Sequence, residues 1–412
     1  MSLKDQQELE TTYMMTTYGR KPVSFLSGKG MSLYDSEGNE YLDFLAGVGC
    51  VCLGHSNIAV ADAIATQAYW LVQVSNYYYS EHRGEFARDL SDLLNTKNEG
   101  SAPWKTFFAN SGAEANEGAI KLALKYGKLY LNGAGTIISA KKSFHGRTMI
   151  TTAATGQAVK QEAFAPMPPG FIHVNPDNLD DLANSLEAAS KQAEEQHSPK
   201  LAPVAVLLEC TQGEGGVVPL DEDYLKGVRA LTEEQGLLLI IDEVQTGYFR
   251  TGLPFSFMHA GIVPDVVTMA KGIANGFPCG AFSARGKAAD ILEPGEHGST
   301  FGGNPLAIAA ARATLAELKE RDIGVHVEAV GAYFKDKLAE LPLVTEVRGK
   351  GLMLGVSLEK PCAIEAVDKA LERGFVINSI GTDILRFLPP LIVRESEIDE
   401  LILTLQGILG DL

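Results

Sequence analysis

Leu237-Leu238-Leu239-Ile240-Ile241-Asp242-Glu243-Val244-Gln245 is the stretch from which the fold can be read. Gly236 opens an unbroken apolar run and a polar cluster closes it, the pattern of a strand buried on both faces. Such strands belong to parallel sheets, whose ligands gather outside the carboxyl ends of the strands. The run delivers a carboxylate, Asp242, to that edge. Pro264-Asp265-Val266-Val267-Thr268-Met269-Ala270-Lys271 repeats the arrangement with a lysine at its end. Taken singly, each has an ordinary reading: Asp242 can cap a helix and Lys271 can be a solvated surface residue. At neighbouring strand ends they offer an anion for a pyridine nitrogen and an amine for an aldehyde, the two groups that pyridoxal 5'-phosphate requires.

Working outward, Val204-Ala205-Val206-Leu207-Leu208-Glu209 reads as another buried strand. Gln212-Gly213-Glu214-Gly215-Gly216-Val217-Val218-Pro219 then sets a second glutamate in a glycine loop. A helix over 221–235 returns the chain to the Asp242 strand, which makes a β-α-β unit. Upstream, Trp104-Lys105-Thr106-Phe107-Phe108-Ala109 leads through a small polar turn into a helix beginning near Ser111-Gly112-Ala113. Bare amides at such a helix start suit a phosphate; ordinary N-capping explains the turn equally well. On that helix Glu117 and Lys121 are spaced to pair at i,i+4. Thr136-Ile137-Ile138-Ser139-Ala140 is followed by Lys141-Lys142-Ser143-Phe144-His145-Gly146-Arg147-Thr148. That loop places a ring, an imidazole and a guanidinium at one strand end, where Phe144 is either core or site and Arg147 either surface or site.

Downstream, Cys279-Gly280-Ala281-Phe282-Ser283 is strand-like, and the glycine-rich His297-Gly298-Ser299-Thr300-Phe301-Gly302-Gly303-Asn304-Pro305 opens a helix. The alternation specifies an α/β fold, a mostly parallel sheet with helices on both faces. From about Leu306 the composition shifts to a long alanine-rich helix and then a smaller α+β unit. Ser396 with Asp399 is the expected capping box of its closing helix. A hairpin over 31–44 is expected to pack with this unit, and Ser56 to cap a helix over 58–72. The expected division is an N-terminal segment over 1–60, a large cofactor-binding domain over 61–310 and a small domain over 311–412.

With 412 residues and 45% hydrophobic content the chain can bury a large core. A net charge of -17 argues against nucleic acid and anionic membrane as partners. No apolar stretch reaches transmembrane length and the start carries no apolar signal region, so a cytoplasmic location is expected. Five cysteines suggest reduced thiols, and neither the Cys50-Val51-Cys52 pair nor the eight histidines has metal-ligand spacing. No metal is expected.

Read together, these motifs resemble the class III pyridoxal-phosphate aminotransferases, from Tyr18 to the closing helix. The resemblance is carried by Asn110-Ser111-Gly112-Ala113-Glu114-Ala115-Asn116, Ser143-Phe144-His145-Gly146-Arg147-Thr148, Gln212-Gly213-Glu214-Gly215-Gly216-Val217 and Asp242-Glu243-Val244-Gln245. Arg250-Thr251-Gly252, Ala270-Lys271-Gly272 and Thr300-Phe301-Gly302-Gly303-Asn304-Pro305 complete it. It implies fold type I, with a seven-stranded-type sheet in the large domain, and a homodimer whose active sites are shared. By the same resemblance Lys271 and Asp242 are catalytic: Lys271 condenses with the cofactor aldehyde and Asp242 pairs with the pyridine nitrogen. Ser111, Gly112 and Ala113 would hold the phosphate, with Thr300 arriving from the partner subunit. Phe144 would stack on the ring, and Val244 and Gln245 would contact it, Gln245 at the ring hydroxyl. Tyr18, Arg147, Glu214, Ser299 and Arg386 match substrate-contacting positions.

The implied reaction moves the terminal amino group of N2-acetylornithine to 2-oxoglutarate, which becomes glutamate, in arginine biosynthesis. Related enzymes use ornithine, succinylornithine, N-succinyl-diaminopimelate or 4-aminobutyrate. A decarboxylase or aminomutase on the same scaffold, and a non-catalytic binding protein, are the readings from other classes; intact Lys271 and Asp242 speak against the last. Cys210, Phe249, Ala274-Asn275 and Ser56-Asn57 depart from the family pattern, where proline, glycine, a glycine pair and His-Pro are usual.

Overall fold

The computed structural model describes residues 2–98 and 100–412. Its centre is a seven-stranded sheet. In chain order the strands are β1 (Lys105–Ala109), β2 (Thr136–Ala140), β3 (Phe171–Val174), β4 (Pro203–Leu208), β5 (Leu238–Asp242), β6 (Val266–Met269) and β7 (Gly280–Ala284). Across the sheet they run β1-β7-β6-β5-β4-β2-β3. All pairs are parallel except those of β7, which is antiparallel to β6 and β1.

Every residue of β4, β5 and β6 is buried. Side chains on a strand alternate between faces, so the apolar run of β5 must supply two cores. Leu238 and Ile240 pack with Ala119, Ile120 and Ala123 of the helix Gly112–Tyr130. Leu239 and Ile241 pack on the other face with Leu225 and Val228 of the helix Glu222–Glu234. At about 1.5–3 kcal/mol for each fully buried large aliphatic side chain, this double burial fixes β5 at the sheet centre and therefore fixes where its last residue, Asp242, emerges.

The C-terminal part builds a second sheet from Val344–Lys350, Met353–Leu358, Ile384–Phe387 and Asn378–Ile380, all antiparallel. A third sheet joins the two ends of the chain: Phe25–Lys29, Ser32–Asp35 and Glu40–Asp43 form a meander whose last strand pairs in parallel with Phe375–Val376. The Phe44 N–H continues this link to the Val376 carbonyl, and the Phe44 carbonyl accepts from Leu388 N–H. Among the described residues no helix is long and apolar enough to cross a membrane.

Three local expectations are corrected. Asn57, not Ser56, caps the helix Ile58–Trp70; its side chain accepts the Val60 N–H at 3.2 Å, while Ser56 sits at φ +50, outside the extended cap conformation. The closing helix Glu395–Gly410 starts two residues earlier than the Ser396 cap requires, with Arg394 at the cap position, and the Glu397 carboxylate accepts the Arg394 N–H at 2.8 Å. Glu117 and Lys121 do not pair. Lys121 donates to the Glu296 carbonyl at 2.7 Å and Glu117 accepts from the Thr148 hydroxyl at 2.5 Å, tertiary partners that outcompete a weak helical pair.

Candidate active site

At the carboxyl edge of β5 and β6 lies a cavity of about 370 Å³. Its floor is Asp242. One carboxylate oxygen, Oδ2, accepts from the Asn116 amide at 2.7 Å and from His145 Nδ1 at 2.8 Å; Oδ1 accepts the Val244 N–H at 3.0 Å. A carboxylate partner makes Nδ1 the protonated nitrogen of His145. The same Asn116 amide donates to the His145 carbonyl at 2.8 Å, and its oxygen accepts the Thr268 hydroxyl at 2.7 Å. Thr268 stands level with Asp242 because the two are register partners across β5 and β6. A buried amide with all of these groups satisfied orients the acid rigidly.

Lys271 follows β6 by two residues and adopts φ +44, a left-handed conformation in which a lysine is held only by its surroundings. Burial lowers the pKa of its amine, an effect partly offset by Cys50, Asp242 and Glu214. A lysine so placed carries more free amine at neutral pH than a solvated one, which suits a nucleophile or base.

The opposite end of the cavity is the start of the helix Gly112–Tyr130. Ser111 Oγ accepts the Glu114 N–H at 3.2 Å and the Ser111 carbonyl accepts Ala115, so the cap is real, yet the amides of Gly112 and Ala113 precede the first intrahelical bonds and face the cavity's lining. A Cβ on Gly112 would stand 2.7 Å from Val244 Cγ1, and one on Gly280 would stand 2.4 Å from the Ser111 carbonyl. This end tolerates only bare backbone. The cap reading holds, and the bare amides beside it leave room for an anion.

Between the two ends are Phe144, Val244 and Gln245. Gln245 Oε1 and His145 Nε2 are buried without a hydrogen-bond partner. A Cβ on Gly213 would fall 2.1 Å from that Gln245 oxygen, so the glycine loop is pressed against it. Glu209 accepts the N–H groups of Phe144 at 2.9 Å and Gly213 at 3.2 Å, and burial pushes its pKa up to about 7.

At the mouth, Glu214 lines the wall and pairs at 2.5 Å with Arg386, which is buried behind it, off the wall, and donates to Asn378 Oδ1 at 2.7 and 3.1 Å. Burial raises the pKa of Glu214, but the Arg386 guanidinium beside it prevails and keeps the carboxyl below its ordinary value. Arg147 lines the same cavity, exposed, with its guanidinium 5.4 Å from the centre of the Phe144 ring. Tyr18, Ser299 and Thr300 are not on the wall. Tyr18 is 76% exposed; Ser299 Oγ accepts from Asn110 at 3.1 Å and Gly302 at 3.0 Å; the Thr300 carbonyl accepts from Gln73.

His145, the imidazole expected at its strand end, lines this cavity; Asn116, Glu209, Asn378 and Lys160 also face or support it, and no role follows for them from the sequence. Only the recurrence of buried-type polar residues beside the glycines hinted at them. Two departures from the family pattern are explained: Phe249 and Asn275 both take positive φ, +64 and +46, where glycine is the usual occupant. Asn275 repairs the exchange with its side chain, accepting the Leu53 N–H at 2.7 Å and donating to the Gly54 carbonyl at 3.2 Å.

An acid at the floor, an amine beside it, the bare helix-start amides of Gly112 and Ala113 and an orphaned buried Gln245 acceptor between fit the groups that pyridoxal phosphate presents. The family model "Aminotransferase class-III" matches residues 13–409. The chain belongs to the class III aminotransferases. Among curated relatives of this class, the acetylornithine aminotransferase of Caldanaerobacter subterraneus is 45% identical over 408 residues, 98% of each chain. That of Methanocaldococcus jannaschii is 43% identical over the whole of both. Among solved class III structures, the ornithine aminotransferase of Toxoplasma gondii superposes with a TM-score of 0.91 at 30% identity, covering 100% of this chain and 96% of that one. The acetylornithine aminotransferase of Elizabethkingia anophelis gives 0.85 at 30% identity over 100% of both. As a class III aminotransferase this protein is a pyridoxal-phosphate-dependent transaminase of fold type I.

Proposed function

We propose that the protein transfers the terminal amino group of N2-acetyl-L-ornithine to 2-oxoglutarate, a step of arginine biosynthesis. The observation that carries this reading is the Arg386–Glu214 pair at 2.5 Å beside a cavity in which Arg147 has no such partner. The donor presents its far amine and keeps its carboxylate distant, whereas glutamate presents its near amine and carries carboxylates at both ends. Arg147 binds the distant carboxylate of either. With acetylornithine bound, Arg386 faces methylene and Glu214 neutralises it; with glutamate bound, Glu214 yields Arg386 to the near carboxylate.

Pyridoxal phosphate supplies an electron-accepting ring and an aldehyde. This chain's residues do the rest. Asp242, oriented by Asn116 and His145, would keep a proton on the ring nitrogen. Lys271 would hold the cofactor through its amine and, once free, would move a proton as general base, a role worth roughly 10²–10⁴-fold. Gly112, Ala113 and Ser111 would hold the phosphate, Phe144 and Val244 would contact the ring, and Gln245 would meet its hydroxyl.

The reading includes a homodimer in the cytoplasm. Trp70, Tyr77, Tyr79 and Phe301 form exposed apolar surface near Ser299 and Thr300, a face that a second copy would cover. Covering it would bring Thr300 and Ser299 to a neighbouring site, with Tyr18 at its rim. The division into residues 1–60, 61–310 and 311–412 goes with it, supported by the strand pairing of Glu40–Asp43 with Phe375–Val376. The test is a panel of ω-amino donors with 2-oxoglutarate. Acetylornithine should rank among the best; a place among the poorest would overturn the substrate and leave the fold standing.

A further inference from the structure

Glu209 follows β4 on the cavity wall, is 7% exposed, and has no part in the mechanism above. Its two oxygens take one N–H each from different loops. Oε2 accepts from Phe144 at 2.9 Å and Oε1 from Gly213 at 3.2 Å. The first loop also carries His145, the partner of Asp242 at the floor. The second carries Glu214 one residue further on, the partner of Arg386 at the mouth, and it presses on Gln245. One buried carboxyl group therefore clasps the loop of the floor to the loop of the mouth.

An ionised carboxylate accepts on both oxygens, and each bond has charge-assisted strength. A protonated one turns one oxygen into a hydroxyl donor, so one of the two N–H groups loses its full acceptor. The longer bond, to Gly213, is the one that yields. The charged groups facing Glu209 are Asp242 at the end of β5, His145 on the loop after β2 and Lys160 on the 3-10 turn Ala158–Lys160. Cys210, next in the chain, is kept a neutral thiol by burial. Burial and Asp242 push the Glu209 carboxyl up to about 7, against His145 and the two N–H groups, so both of its forms are populated at neutral pH. Let go at Gly213, the loop keeps its far anchor, where Arg348 Nε donates to the Gly216 carbonyl at 2.7 Å. The slack falls on the residues between, and Glu214 is one of them. We propose that Glu209 is a positioning residue for substrate exchange: its carboxylate steadies Glu214 against Arg386, and a proton taken up there slackens the loop so that Glu214 yields Arg386 to a ligand carboxylate. The inference rests on the exchange of partners at Arg386 proposed above.

Two measurements on the holoenzyme test it. The first follows hydrogen exchange of the Gly213 amide in wild type from about pH 6 to about pH 8, corrected for the chemical pH dependence of exchange. Its protection should rise about tenfold across that range, the equivalent of one pKa unit, while that of Ile240 in β5 should not rise. The second compares the glutamate and acetylornithine half-reactions of wild type and Glu209→Gln over the same range. The amide of Glu209→Gln has a single acceptor oxygen and does not titrate. Wild type should favour glutamate about tenfold more at the acid end than at the basic end, through KM rather than kcat. Glu209→Gln should keep the acid-end ratio throughout, and the titration of the donors cancels because both proteins meet the same two. A Gly213 protection that does not change with pH, or a variant that keeps the wild-type pH dependence, would overturn the inference alone. Should the variant not fold, the wild-type exchange measurement decides. A wild type that turns over neither donor would overturn the functional reading, and with it the exchange role proposed for Glu209.

Discussion

The floor and the mouth of the cavity hold charge in opposite ways. At the floor, Asp242 accepts three hydrogen bonds, and Asn116 ties it to His145 and Thr268, all of them buried. Nothing there has a second arrangement to adopt. At the mouth, Glu214 and Arg386 satisfy each other by one contact on a glycine loop, and Arg147 waits unpaired. A ligand can exchange those partners at small cost. Chemistry common to every substrate is built on the saturated end, and discrimination between substrates on the unsaturated one.

Mutations can break or sharpen that contrast. The largest effect belongs to the amine shared by all substrates: Lys271→Ala should reduce both half-reactions by at least about 10³-fold, measured by single-turnover absorbance. An intact half-reaction would remove Lys271 from its role. Next comes the buried acid between the two ends. Glu209 titrates near 7 in the folded protein against an ordinary 4.5 because burial penalises its charge. Its folded pKa is raised, so its contribution to stability is complete below the unfolded pKa and is lost as pH rises through about 7. Wild type should lose about 3 kcal/mol relative to Glu209→Gln between pH 4 and pH 8, read from urea unfolding. Parallel pH profiles of the two proteins would show that Glu209 is not perturbed.

Asn116→Ala strips three hydrogen bonds from the floor and should cost about 1–3 kcal/mol in stability, with weaker cofactor retention on dialysis. The mouth should behave differently. Glu214→Ala should weaken the acetylornithine half-reaction about tenfold more than the glutamate half-reaction, because only one substrate needs Arg386 neutralised, and it should lower stability as well, since it leaves the buried Arg386 without its counter-ion. Equal losses would make the mouth as rigid as the floor. The smallest effect lies outside both: Asn275→Ala removes two side-chain hydrogen bonds and leaves a Cβ at φ +46, for about 1–2 kcal/mol, and Asn275→Gly should cost less.

What could be read without coordinates follows the same division. Burial on both faces writes itself into a strand as an unbroken apolar run, so β4, β5 and β6 and the acid and lysine beyond them were legible. Ser111 was legible as a helix start because capping chemistry is local. Asn116 was not: it sits inside a helix, where an asparagine reads as a weak helix former, and its partners lie on β5, on β6 and in the loop after β2. Asn378 matters through Arg386, its partner across an antiparallel strand pair, and the spacing of the two in the sequence does not announce that pairing. The Glu117–Lys121 pair failed for the same reason in reverse, since a local rule cannot know that the Glu296 carbonyl will stand nearer.

The reversed direction of β7 has one more consequence. Because β7 lies between β1 and β6 and is antiparallel to both, β1 and β6 point the same way while standing two strand widths apart, about 10 Å. The anion cradle follows β1 and the reactive amine follows β6. The sheet is thus a ruler: a tethered molecule must be long enough to be gripped at both marks, and a pyridoxal lacking its phosphate would be gripped at one.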